Sequence, residues 1–130
     1  MKAAIFLIAL CGLLILVSCS GGAPKVETDP DQAVLTQLKK AGSKMERPHT
    51  IEFVLYFPTG ENANRAADQI RKNGYAVEVK PAANGNDMLC LARKSMIPNT
   101  RNLIESRKLF RRIAKEFNGE YDGWAAPVVK

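Results

Sequence analysis

The nine residues HTIEFVLYF, His49 to Phe57, restrict the fold more than any other stretch of this chain. Ile51, Phe53, Leu55 and Phe57 alternate with Thr50, Glu52, Val54 and Tyr56, and a period of two belongs to a strand with one buried face. Such a strand needs a second layer against its apolar side, and the segments after it supply one. Thr59 is a good helix N-cap, and Ala63, Ala66, Ala67 and Ile70 recur at helical spacing until Gly74 stops the run. Tyr75–Ala82 and Asp87–Arg93 read as two strands around Asn84-Gly85, a dipeptide that favours tight hairpin turns. Pro98-Asn99-Thr100 opens the longest helix, with Leu103, Phe110, Ile113 and Phe117 inward and Gly119 at its end. "EYDGWAAPVV" supplies a fourth strand.

One more helix precedes these elements. Asp29-Pro30-Asp31-Gln32 combines an N-cap, a first-turn proline and a glutamine three residues after the cap. Val34, Leu35 and Leu38 then make an apolar face before Gly42. The order strand-helix-strand-strand-helix-strand is a split βαβ arrangement. It predicts an α+β, ferredoxin-like two-layer sandwich, an antiparallel sheet with two helices on one face, plus an extra N-terminal helix. Residues 29–130 are enough chain for one modest core.

The residues before that domain have a different character. After Met1-Lys2, the chain runs from Ala3 to Val17 without a charge. That layout suits a secretory signal, and the run is short of the about 20 apolar residues a spanning helix needs. Leu16-Val17-Ser18-Cys19 resembles the lipobox of bacterial lipoproteins. The resemblance implies that residues 1–18 are a lipoprotein signal peptide and that Cys19 carries the lipid. Residues 20–28 are small, polar and Pro/Gly-bearing, so 19–28 are then a lipidated tether. Several acyl chains, each contributing about 0.8 kcal/mol per buried methylene, hold such a protein to a membrane. Ser20 resembles the residue that sends lipoproteins to the outer membrane, so the expected location is membrane-anchored and facing the periplasm. The mature chain would keep one thiol, Cys90, which the apolar stretch "MLCLA" should bury.

Chemistry for catalysis is harder to find. His49 is the only histidine and has no Ser or Cys beside it in sequence to activate. No His, Cys or carboxylate spacing suits a metal, and no Gly-rich strand-to-helix turn offers a phosphate cradle. The chain therefore reads as non-enzymatic, without cofactor or metal. Its 19 basic and 13 acidic residues give a net charge of +6. Between Arg93 and Lys115 only Glu105 is acidic, and Arg101, Lys108, Arg112 and Lys115 recur at helical spacing as a basic surface. The simplest reading of that stripe is a solvated helix face; beside anionic lipid each charge would add up to about 1 kcal/mol of attraction. Nucleic acid is not expected, because sheets that bind RNA stack bases on aromatics of the central strands. Here "MLCLAR" has no aromatic, and Tyr56 alone points to the helix-free face.

The block "DQAVLTQLKKAGSKMERPHTIEFVLYFPTGENANRAADQIRKNGYAVEV", then "MLCLARKSMIPN" and "GEYDGWAAPV", resembles the RraB family, the regulators of ribonuclease E activity. The resemblance implies a ferredoxin-like fold and a non-enzymatic activity, binding ribonuclease E and restraining RNA cleavage. Within its specific blocks, His49, Tyr121, Asp122 and Trp124 are the candidate partner-binding residues. Together with the lipobox, the expectation is a protein-binding domain with an envelope protein as partner. Ribonuclease E becomes the partner only if the chain stays cytoplasmic. The helix-free sheet face is left to be covered by the N-terminal helix or by a second copy in a homo-oligomer.

Overall fold

A computed structural model describes residues 29–130. The signal segment, Cys19 and the tether lie outside the described residues. The elements are α1 (Pro30–Lys40), β1 (His49–Phe57), α2 (Gly60–Lys72), β2 (Ala76–Pro81), β3 (Met88–Met96), α3 (Thr100–Glu116) and β4 (Glu120–Ala125). The four strands form one antiparallel sheet in the order β2-β3-β1-β4. This is the ferredoxin-like order the split βαβ pattern predicts.

Each helix starts where its cap residue stands. Asp29 accepts the Asp31 amide at 3.1 Å, Thr59 the Asn62 amide at 3.1 Å and Asn99 the Asn102 amide at 2.9 Å. These bonds satisfy amides that a helix N-terminus otherwise leaves without partners. In the hairpin, Asn84 Oδ1 accepts from the amides of Asn86 and Asp87 at 2.9 and 3.1 Å, and Gly85 takes φ +76°. Strand β3 runs on to Met96, beyond the expected Arg93, because β1 is long enough to pair it as far as His49. The stop of α3 also differs from expectation. Asn118 rather than Gly119 takes the left-handed turn, at φ +59°. Gly119 serves close packing instead, since a Cβ there would fall 2.5 Å from the Tyr56 carbonyl oxygen.

The register shows what each face buries. Val77, Ala92, Phe53 and Trp124 form one row across the sheet, and Val79, Cys90, Leu55 and Tyr121 form the next. Both rows point toward α2 and α3. Small side chains at Ala63, Ala66 and Ala67 let α2 lie close to the sheet, and all three are fully buried. On the α3 side the filling is aromatic. Phe110 lies 4.7 Å from Phe53, 5.0 Å from Tyr75 and 5.9 Å from Tyr121, centroid to centroid. Such large buried rings carry much of the hydrophobic stabilisation of a small domain. Cys90 is buried in the same layer, and burial pushes its thiol up to about 11.

Helix α1 joins the helix layer rather than the opposite face. Leu35 and Leu38 enter the same core cluster as Phe53 and Phe110, and α1 packs against α3. Among the described residues, no element packs over the helix-free side of the sheet.

Candidate functional site

Strand β4 is an edge strand with an irregularity that shapes the site. Val54 pairs Gly123 but Leu55 pairs Tyr121, so Asp122 is an extra residue in the ladder. Gly123 takes φ +133°, a conformation that favours glycine. A regular strand would turn residues three apart to opposite faces. The bulge cancels that alternation, so Tyr121 and Trp124 both face the helices. Asp122-Gly123 is therefore a device inside the strand and not a turn after it.

Trp124 then meets α1. Its indole Nε1 donates to Asp31 Oδ1 at 3.0 Å, across 93 positions of sequence. Asp31 is 3 % exposed, and a carboxylate this deep needs a counter-charge. Arg107 of α3 supplies it. Arg107 Nη1 donates to Asp29 Oδ1 at 3.0 Å and lies 2.9 Å from Asp31 Oδ2. The second contact is ionic without a hydrogen aimed along it, so Oδ2 keeps free acceptor capacity. Asp29 thus caps α1 and holds Arg107 with the same oxygen.

Tyr121 completes the group. Its ring stacks on Phe110 at an interplanar angle of 17°, and its hydroxyl is enclosed with no hydrogen-bond partner among the described residues. Burial, and then the nearby Asp31, push that hydroxyl well above the ordinary phenol range. The O–H therefore stays a donor. These groups border a cavity of about 330 Å³ whose walls include Pro30, Val34, Arg107, Arg111, Tyr121 and Trp124. Asp122 lies at its rim, and past the bulge the cavity reaches Val54. Arg111, one turn beyond Arg107, is exposed and has no ion-pair partner among the described residues. The cleft thus offers a free guanidinium and apolar walls, while the Tyr121 hydroxyl and Asp31 Oδ2 beside it are enclosed. No His, Cys or Ser is among the residues lining the cleft.

Three of the four candidate residues, Tyr121, Asp122 and Trp124, meet here. His49 does not. Its ring is fully buried at the start of β1, with Nδ1 2.7 Å from the Arg47 carbonyl and Nε2 2.6 Å from Ser43 Oγ. A carbonyl only accepts, so Nδ1 carries a proton and donates. Ser43 accepts from the Val129 amide at 2.9 Å and can give its own proton to Nε2. His49 has no serine beside it in sequence, but residues 41–48 fold back and bring Ser43 to the ring in space. Every polar atom of the group is nonetheless used, and His49 presents no surface for a partner. Its chemistry ties the C-terminal segment to the entry of β1.

The basic residues separate into two sets. Arg101, Lys108, Arg112 and Lys115 are exposed along α3 and form no ion pair among the described residues. Arg107 points inward. Asp31 and Arg107 are not among the candidates picked out by sequence pattern, although their spacing flags them. Asp31 shares a helical face with Leu35 and Leu38, and Arg107 shares one with Leu103 and Phe110. A charge on an apolar stripe of each of two helices is the signature of a buried pair. Among the described residues, no three His, Cys, Asp or Glu side chains converge as metal ligands. No helix of the described residues is long and apolar enough to cross a membrane.

Comparison with known proteins adds one finding. The sequence model of the family Regulator of ribonuclease activity B matches residues 28–125, from the start of α1 to the end of β4. No curated protein matches the chain.

Proposed function

This chain belongs to the family of regulators of ribonuclease activity B, and we propose that it is a non-enzymatic protein-binding module whose partner docks in the cleft between α1, α3 and β4. A regulatory, protein-binding role follows from the family. The observation that supports the cleft as its site is the convergence there of Tyr121, Asp122 and Trp124 with the exposed, unpaired guanidinium of Arg111. Buried polar groups without hydrogen bonds are rare in finished cores, which sets this region apart from the rest of the domain. The free charges of α3 lie along the same helix as Arg107 and Arg111, which favours an acidic approach surface on the partner.

The lipobox resemblance of Leu16 to Cys19 supports display of this module on a membrane-anchored lipoprotein facing the periplasm, at the outer membrane, with an envelope protein as partner. The alternative, favoured by the family match alone, is a cytoplasmic inhibitor of ribonuclease E-type cleavage acting by direct binding. Labelling cells with a palmitate analogue separates the two. Cys19-dependent label in the membrane fraction, lost in Cys19→Ala, is the expected result. An unlabelled, cytoplasmic chain that slows ribonuclease E cleavage in a purified assay would replace it with the alternative. In either setting Arg111→Glu is expected to weaken partner binding.

A further inference from the structure

The uncovered side of the sheet is organised. Three rows run across it. In the first, Arg93 of β3 stands beside Glu52 of β1; in the second, Leu91 beside Val54; in the third, Leu89 beside Tyr56. The third row ends with Lys80 on the β2 edge and Glu120 on the β4 edge. The second ends with Glu78 on one edge and Gly123 on the other. The centre is thus apolar, with Leu89, Val54 and Tyr56 half-buried and Leu91 already buried at 8 % exposure, and opposite charges stand at mirrored positions on its two sides.

We propose that this face binds the same face of a second copy, about a two-fold axis parallel to the strands and lying between β1 and β3. That rotation keeps each row over its own row and exchanges β3 with β1 and β2 with β4. Leu91 then lies over Val54 of the second copy and Leu89 over its Tyr56. Arg93 meets the opposing Glu52, and Lys80 meets the opposing Glu120, each twice by symmetry. Glu78 faces Gly123, whose missing side chain leaves it room; nothing within 4 Å occupies that space in one copy. Within one copy Glu78 already pairs with Arg93 at 3.6 Å and Lys80 at 4.0 Å, and across the axis no charge meets a like charge and every apolar residue meets an apolar one. The other in-plane axis, parallel to the rows, would set Arg93 over Leu89 and Glu52 over Tyr56, burying charge against apolar surface. Register and charge together select the first axis.

The groups are within reach of a mate. The Arg93 and Glu52 side chains keep 42 % and 34 % of their surface exposed while bonded to each other at 2.6 Å. Two such sheets pack about 10 Å apart with strands crossing at about 30°. Four strands at about 4.8 Å spacing make a small face, so the association falls at the weak end of specific interfaces. The inference stands apart from the reading of the cleft, although Val54 and Gly123 border both.

Sedimentation of the full chain in a density-matched non-ionic detergent tests it. The mass is expected to rise toward the dimer with concentration up to the order of 0.5 mM, as a weak interface of this size requires. Lys80→Glu and Glu120→Lys should each abolish the rise, because each sets like charges face to face. Combining both substitutions reverses both partners and should restore it. A mass that stays monomeric throughout, a rise that survives either single reversal, or a combined variant that stays monomeric would each overturn the proposal.

Discussion

The domain holds two buried polar groups of opposite character. Around His49 every donor and acceptor has a partner, and the group is shut from solvent. Around Asp31 and Trp124 the core is charged, borders an open cleft, and keeps an enclosed phenol and one carboxylate oxygen without hydrogen bonds. Both contain residues from the blocks that carry the family resemblance, yet only the second has chemistry left over. A saturated polar group holds a structure together, whereas one with spare capacity beside a cavity can take a ligand. Membership of a sequence block does not separate the two; hydrogen-bond accounting does.

The largest effect that would sharpen this contrast is at the charged cleft. Arg107→Ala strands Asp31 in the core and should cost about 3 kcal/mol in urea unfolding. Pairing it with Asp31→Asn should recover part of that loss. A cost for Arg107→Ala no larger than a surface substitution would break the picture of a buried pair. His49→Ala comes next, at about 2 kcal/mol, because it opens a cavity and leaves Ser43 and the Arg47 carbonyl short of partners. Whatever remains folded should bind its partner as the parent does. Loss of affinity beyond the loss of folded chain would mean that the hub reaches the cleft.

Trp124→Phe keeps most of the ring but removes the Nε1–H donor to Asp31, for an expected cost of about 1 kcal/mol by thermal melting. Tyr121→Phe should be the mildest for stability, within about 0.5 kcal/mol, since the hydroxyl it removes has no partner. A large loss of stability there would show that the hydroxyl is already satisfied. The same variant carries a pH signature. Burial raises the Tyr121 hydroxyl, so its contribution to stability is whole below the unfolded phenol value of about 10 and is lost as pH climbs beyond it. Melts above about pH 10 should therefore fall less steeply for Tyr121→Phe than for the parent.

Much of the architecture can be read from short windows of sequence. The alternation from His49 to Phe57 declares β1, the caps at Asp29, Thr59 and Asn99 declare the helix starts, and Asn84-Gly85 declares the hairpin. These are local signals because a strand's period, a cap's bond and a turn's φ each involve only neighbours in the chain. The element order then leaves few topologies open, and the ferredoxin-like one is among them.

The site was legible only in pieces. Tyr121, Asp122 and Trp124 stand out as a block, but strict alternation would send Tyr121 and Trp124 to opposite faces. The bulge at Asp122 that reunites them depends on how β4 pairs with β1. Ser43 and His49 are six residues apart with nothing in that spacing to announce a hydrogen bond. Sequence by itself determined the elements, their order and the candidate block. Tertiary structure decided which of those residues face one cleft, which are sealed in a hub, and that Asp31 meets Trp124 across 93 positions. The physical reason is range: propensity and patterning act over a few residues, whereas burial, counter-charge and hydrogen-bond saturation exist only between elements already packed together.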